Sequence, residues 1–253
     1  MGLLEGRASD AFLHGLNTLD LGRGGVPDFR QLSEDLGAIT GWSVVPVPML
    51  IPDHVFFYHL ANRRFPAANF IRSRETIDYI EEPDAFHDVF GHAPLLTDPT
   101  FARYMEAYGR AGWKALKYNR LKALSALYWY TVEFGLMLEP AGMRVYGAGI
   151  VSSAQEVVFA LEAASPNRIH LSVDRVMRTD YEISDLQQTY FVIESFAELF
   201  HATEERVFDP IYRSLKPSFL YASSAVLETD HVYHAGTEEY ALRGGRGSGA
   251  KAV

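Results

Sequence analysis

The sequence predicts a mainly α-helical single domain with small β elements. Three observations carry this reading. Capped segments with apolar residues at helical offsets recur along the chain. Regular strand–helix alternation opening on a Gly-rich phosphate loop is missing, since the "GRGG" at 22–25 follows no convincing strand. No repeat, linker or charge block divides the chain into halves. With 253 residues, 48% of them hydrophobic and 13% aromatic, the chain can bury a substantial core.

The elements follow in order. "VPDFRQLSEDLGAIT" (26–40) reads as a helix opened by Pro27 and Asp28 and stopped near Gly37. "GWSVVPVPMLI" (41–51) looks extended, with its prolines assigning it to an edge or a docked loop. "PDHVFFYHLANRRF" (52–65) has Asp53 as its expected N-cap, with Val55, Phe56 and Leu60 at helical offsets. "SRETIDYI" (73–80) is a short helix candidate. "DPTFARYMEAYGRAGWKAL" (98–116) begins with Asp at the cap and Pro at the first helical position. "RLKALSALYWYTVEFGLML" (120–138) reads as one unusually apolar helix, buried on most sides. "GMRVYGAGIVSS" (142–153) suggests strand and turn, "AQEVVFALEAA" (154–164) a helix, and "TYFVIESFAELFHATEERV" (189–207) a strand turning helical. Residues 1–27 form an N-terminal extension in this reading, 28–217 the main domain, 218–240 a segment packing on it, and 241–253 a disordered tail.

Charge and composition narrow the function. Lys plus Arg is 23 and Asp plus Glu is 32, a formal charge of −9, which disfavours a nucleic-acid partner. The sequence contains no cysteine. Thiolate nucleophiles, iron–sulfur clusters and Cys-based zinc sites are therefore excluded, and any metal must be held by nitrogen and oxygen. The absence also fits a reducing cytoplasm, the expected location. The N-terminus lacks the basic start and apolar run of a signal peptide, and the longest apolar stretches are too short and Pro-broken to span a bilayer.

The stretch "EEPDAFHDVFGHAPLLTDP" (81–99) sets His87 and His92 five positions apart. On a continuous α-helix they would lie about 140° apart around the axis, too far to share a small ion. Gly91 and Pro94 supply a stop signal that could end the helix and bring His92 round; Asp84 or Glu82 can serve the free N–H groups at its start. Taken alone, two histidines at this distance are as readily packed or capping residues. Glu133 changes the balance. It lies within "ALYWYTVEFGLML" (126–138), and an ionised carboxylate among such neighbours needs a partner. A Lys or Arg could serve; a cation held jointly with the histidine pair serves better. Two imidazoles and one carboxylate match the facial triad of non-heme Fe(II) oxygenases, with zinc, and hence a hydrolase, as the rival. A metal-stabilised helical interaction protein is the non-enzymatic alternative. Asp88 is placed beside the ligands or in the co-substrate pocket. Trp129, Tyr130 and Phe134 offer an aromatic wall suited to a flat substrate.

Three segments in order, "EEPDAFHDVFGHAPLLTDP", "YWYTVEFGL" (128–136) and "YGAGIVSS" (146–153), resemble the signatures of the pterin-dependent aromatic amino acid hydroxylases. The nearest resemblance is to compact bacterial members that act on phenylalanine, and it runs from about Asp28 to about Pro217. It implies a mainly helical catalytic domain using Fe(II), a tetrahydropterin such as tetrahydrobiopterin, and O2. The implied reaction is the phenylalanine 4-monooxygenase reaction, L-phenylalanine to L-tyrosine, with tryptophan or tyrosine hydroxylation as the alternative. It implies His87, His92 and Glu133 as iron ligands and Arg72 as the clamp on the substrate carboxylate. Pro83, Trp129, Phe134, Gly149, Ser152, Ser153 and Glu156 would shape the substrate pocket. Ile51, Phe56, Asp88 and Tyr128 would meet the pterin, Tyr128 also standing near the iron as an auxiliary group. Two departures from animal members are Asp88 where a Glu often follows the first ligand, and Pro66 where the pterin pocket has a His. Without a regulatory domain or a C-terminal heptad helix, the expected state is a monomer that depends on pterin-recycling enzymes.

Overall fold

The computed structural model describes residues 2–23, 25, 27–48, 51–73, 83–203, 205–216 and 218–244. Its first helix, α1 (Asp10–Thr18), is capped by the Ser9 hydroxyl and buries Phe12 and Leu16 completely. Each such side chain contributes roughly 2 kcal/mol of burial. Next, α2 (Phe29–Ile39) starts where the Asp28 carboxylate accepts from the backbone N–H groups of Arg30 and Gln31. Gly37 lies inside α2 rather than ending it. The extended reading that follows is the strand β1 (Ser43–Val47), paired in parallel with β2 (Arg64–Ala68) around the intervening α3 (Asp53–Ala61). Pro52, not Asp53, is the N-cap of α3, and no side chain caps it. Of the helix expected over 73–80, residues 74–80 lie outside the described residues.

The long α4 (Pro99–Tyr118) has the expected start, with Asp98 Oδ1 accepting from both Thr100 N and Phe101 N at 2.8 Å. The apolar run after it differs from expectation. α5 spans Leu121–Tyr128, a π-helical turn covers Trp129–Glu133, and the chain then enters the strand β3 (Leu136–Glu139). A strand buried in a sheet is apolar on both faces, so here it extends the apolar run of a helix without a change of pattern.

β3 pairs antiparallel with β4 (Gly142–Val145). Then come α6 (Ala148–Val151), α7 (Ala154–Glu162), β5 (Asn167–His170), α8 (Val173–Val176), β6 (Thr189–Ile193), α9 (Phe196–Ala202), α10 (Glu205–Ser214), β7 (Val232–His234) and α11 (Glu239–Leu242). One sheet has the order β4-β3-β6-β5-β7, with β6 parallel to both its neighbours and β7 antiparallel to β5. All five residues of β6 are buried. The segment carrying β7 is tied to the domain by a buried ion pair, Arg175 Nε to Asp230 Oδ1 at 3.1 Å. The fold is thus mainly helical with small β elements around one hydrophobic core. Among the described residues, no helix is long and apolar enough to cross a membrane.

Candidate metal centre and aromatic pocket

The five-residue spacing has a different answer from a broken helix. His87–His92 is itself a π-helical turn, running straight into a 3-10 turn at Ala93–Thr97. A π-turn bonds each N–H to the carbonyl five residues back, so residues five apart share a face. Gly91 does not end a helix. A Cβ there would stand 3.0 Å from Ala148 Cβ and 3.1 Å from Ala148 O, so its smallness lets α6 close onto the turn. The second π-turn shows the same rule: Phe134 N donates to Trp129 O at 2.8 Å, and those two rings, five apart, lie 5.9 Å apart at 20°.

Both turns aim their polar groups at one point. His92 Nε2 is 3.2 Å from Glu133 Oε1, and His87 Nε2 is 3.4 Å from Glu133 Oε2. One ligand atom from each residue fits within a 4.8 Å span. Glu133 is 6% exposed and His92 4%, and Glu133 Oε2 is buried without a hydrogen-bond partner. A buried carboxylate with one orphaned oxygen, each of its oxygens facing an imidazole nitrogen, is what a divalent cation would satisfy. Burial opposes ionisation of Glu133, yet the two imidazoles hold its pKa below the usual carboxylate range. Burial likewise opposes charging of His87, but Glu133 outweighs it and the pKa of His87 is raised.

Neighbouring groups fix the three candidate ligands. The Ser152 hydroxyl donates to Ala148 O at 2.7 Å and lies 2.9 Å from His87 Nδ1. With its one hydrogen committed to the carbonyl, Ser152 accepts from Nδ1–H, which leaves the Nε2 lone pair turned to the centre. Asp88 Oδ2 accepts from Ala68 N at 2.7 Å, tying the first turn to β2; burial raises the pKa of this carboxyl. The His92 ring packs 4.8 Å from Phe65. Around Glu133, a Cβ on Gly147 would lie 2.3 Å from its carbonyl oxygen, and one on Gly149 would lie 2.9 Å from Phe134 Cε1. The chain before α6 is therefore laid directly on the ligand-bearing backbone.

Arg72 is held by a residue the sequence reading placed only as a helix cap. Asp84, 0% exposed, accepts from Arg72 Nε at 2.9 Å, Nη2 at 2.7 Å and the Arg72 backbone N–H at 2.9 Å, and also from His87 N at 3.0 Å. Burial works against the ionised carboxylate, but the Arg72 guanidinium and these N–H groups pull its pKa down to about 2. Asp84 thus couples the arginine to the start of the first π-turn. The signal in the sequence was a carboxylate three residues before a ligand histidine.

The remaining candidates divide into two groups. Phe56 packs edge-on against Tyr128 at 5.8 Å, and Tyr128 lies 6.3 Å from the His92 ring. Burial raises the pKa of Tyr128 well above the usual phenol value, so its hydroxyl stays protonated. Pro83 and Ile51 are half-buried. Ser153 and Glu156, by contrast, engage the scaffold. Ser153 caps α7, and Glu156 accepts from the Tyr190 hydroxyl and from Gln187 N. A cavity of about 660 Å3 opens beside the first π-turn, lined by Leu19, Leu32, Phe86, Val89 and Phe90 among others; the three ligand residues do not line it.

Comparison with known proteins decides among the readings of this donor set. Residues 6–222 match the family described as biopterin-dependent aromatic amino acid hydroxylase. The chain belongs to that family. This hydroxylase is 56% identical over 250 residues to the phenylalanine-4-hydroxylase of Caulobacter vibrioides, covering 99% of this chain and 85% of the relative. It is 55% identical to that of Ralstonia nicotianae, over 94% of this chain and 75% of the relative. The iron- and phenylalanine-bound crystal structure of the Chromobacterium violaceum phenylalanine hydroxylase superposes with a TM-score of 0.86 at 51% identity, covering 91% of this chain and 84% of that one. The resemblance carried by the three sequence segments is borne out, and the hydrolase and interaction-protein alternatives fall away.

Proposed function

We propose that this hydroxylase is a phenylalanine 4-monooxygenase, converting L-phenylalanine to L-tyrosine with Fe(II), a tetrahydropterin such as tetrahydrobiopterin, and O2. The observation that carries the reading is the buried Glu133 carboxylate between two imidazoles, one of its oxygens unmatched, at the end of a turn that stacks Trp129 on Phe134. When bound, the iron and the reduced pterin supply oxygen activation and the electrons for it. The chain's own share is binding, orientation and exclusion of water.

In this reading His87, His92 and Glu133 hold the iron, with Ser152 setting the tautomer of His87. Arg72, its guanidinium plane fixed by Asp84, meets the amino acid carboxylate. Pro83, Trp129, Phe134 and Gly149 shape the slot for the ring, and Ser153 and Glu156 support its far wall. Ile51, Phe56, Asp88 and Tyr128 line the pterin side, and the neutral Tyr128 keeps its proton there. The protein works as a cytoplasmic monomer, alongside enzymes that restore the reduced pterin.

The test is aerobic turnover of the Fe(II)-loaded protein with tetrahydrobiopterin and each of phenylalanine, tyrosine and tryptophan, following amino acid and pterin products together. Tyrosine formed from phenylalanine in step with pterin oxidation is the expected result. Preference for tryptophan would move the substrate assignment, and pterin oxidation without any hydroxylated amino acid would defeat it. Arg72→Ala is expected to raise the KM for phenylalanine by at least tenfold, in keeping with loss of a charge-assisted bidentate contact.

A further inference from the structure

The Trp129 indole has two near-parallel aromatic neighbours. One is Phe134, already described. The other is Tyr181, which lies far along the chain, beyond β5 and α8, with its ring 6.0 Å from Trp129 at 26°. The two segments are joined at the same place: the Tyr130 hydroxyl donates to the Asp180 backbone carbonyl at 2.6 Å. Residues 129–130 and 180–181 thus meet as a pair of adjacent contacts, one aromatic and one polar. Tyr181 is itself fixed from behind. Phe219 packs edge-on against it at 5.9 Å, and Lys122 Nζ covers the Phe219 ring at 4.5 Å. Asp180 N donates to Tyr221 O at 2.9 Å, pinning the chain on either side. Burial raises the pKa of Tyr181, while Ser125 and Trp129 stand near enough to its phenol to act in the opposite sense.

A flat ring that forms one wall of a slot sets the slot's width only if its plane is held. Trp129 sits at the start of the second π-turn and is itself only half-buried, so the plane of its ring is set by the two rings stacked on it. The contact that resists tilting away from Phe134 comes from Tyr181, with Phe219 behind it.

We infer that Tyr181 is a positioning residue that determines specificity: by fixing the plane of the Trp129 indole it sets the ring size that the substrate slot admits. The inference rests on the proposed function, since it assigns a width to the same slot. Without the Tyr181 ring, Trp129 turns into the vacated space. The slot then holds a single six-membered ring less well and a bicyclic indole better. Tyr181 touches neither substrate nor metal in this account and acts through Trp129 alone.

The test compares wild type, Tyr181→Phe, Tyr181→Ala and Phe219→Ala, each iron-loaded. The readouts are kcat/KM for phenylalanine and for tryptophan, and calorimetric Kd values for both amino acids. Tyr181→Ala is expected to raise KM and Kd for phenylalanine by roughly tenfold and to lower the phenylalanine-to-tryptophan preference by roughly tenfold, the scale at which pocket shape discriminates rings. Tyr181→Phe, which keeps the ring, stays within about threefold of wild type. Phe219→Ala shifts the preference in the same direction by roughly threefold, and decides the matter if Tyr181→Ala does not fold. A merely structural role would depress both substrates alike. An unmoved preference in an active variant therefore overturns the inference while leaving the proposed function intact. Wild-type protein that hydroxylates none of the amino acids overturns both.

Discussion

The two π-turns that carry the candidate metal ligands are built alike and held differently. The first, His87–His92, is secured by polar contacts from several directions: Asp84 on His87 N, Ser152 on His87 Nδ1, and Asp88 on Ala68 N. The second, Trp129–Glu133, is secured by a close backbone contact, by buried rings and by tyrosine hydroxyls. Gly147 lies against the Glu133 carbonyl, the Tyr104 hydroxyl meets Thr131 Oγ1 at 2.9 Å, and Tyr130 packs edge-on against Phe191 at 4.9 Å. Hydrogen bonds can be lost one at a time, whereas a close-packed backbone contact has no intermediate state. The first turn, although Gly91 closes onto Ala148, is therefore the more adjustable half of the site and the second the more fixed.

The sharpest way to break that contrast is at the fixed half. Glu133→Gln keeps the volume and removes the charge. Turnover is expected to fall by more than about a hundredfold, with iron lost on gel filtration and the circular dichroism spectrum retained. Near-normal iron content and activity would remove Glu133 from the site. Gly147→Ala places a methyl where the Glu133 carbonyl already stands, so it should destabilise by about 3 kcal/mol and lower iron occupancy at the same time. Thermal unfolding with metal analysis checks this, and a variant as stable as wild type would show that the contact can give way.

At the adjustable half, effects should be graded. Asp84→Asn removes the carboxylate charge that fixes the half-buried Arg72 guanidinium and is expected to cost about 3 kcal/mol. The same residue gives a pH signature. Its folded pKa, about 2, lies below the ordinary carboxylate value. Its contribution, on the order of 2 kcal/mol, is thus full at neutral pH, persists down to the ordinary value, and disappears as pH falls through about 2. The stability difference between wild type and Asp84→Asn should shrink across that acid range; a constant difference would mean the pair is not ionic. Ser152→Ala, the mildest change, removes only the acceptor for His87 Nδ1–H, and should weaken iron binding about tenfold with little loss of stability. Competition with a metal chelator measures it.

The sequence made the donor set legible and left its geometry hidden. The absence of cysteine and a carboxylate inside an aromatic run were enough to bring His87, His92 and Glu133 together on chemical grounds. The π-turns were not legible, because an i→i+5 bond pattern needs no particular residue type, and Gly91 therefore read as a stop. The partnership of Asp84 with Arg72 spans twelve residues and a loop, so no local periodicity reports it. Among elements, α4 announced itself through Asp98 and Pro99. β3 was absorbed into the helix before it, because Leu136 and Met137 are buried and nothing polar alternates with them. Glu156 was assigned to the pocket by the family resemblance; its hydrogen-bond partners Tyr190 and Gln187 lie on another part of the chain, out of reach of local pattern.

The first π-turn also bears on how such a site can be gained or missed. A π-turn is an α-turn with one residue added, so a single in-frame codon separates the spacing of His87 and His92 from the i, i+4 pair of an ordinary helix. A genome search for metal centres written around a fixed helical interval passes over this arrangement. One that allows a codon's slack between its histidines, and asks for a carboxylate in a later apolar run, would find it.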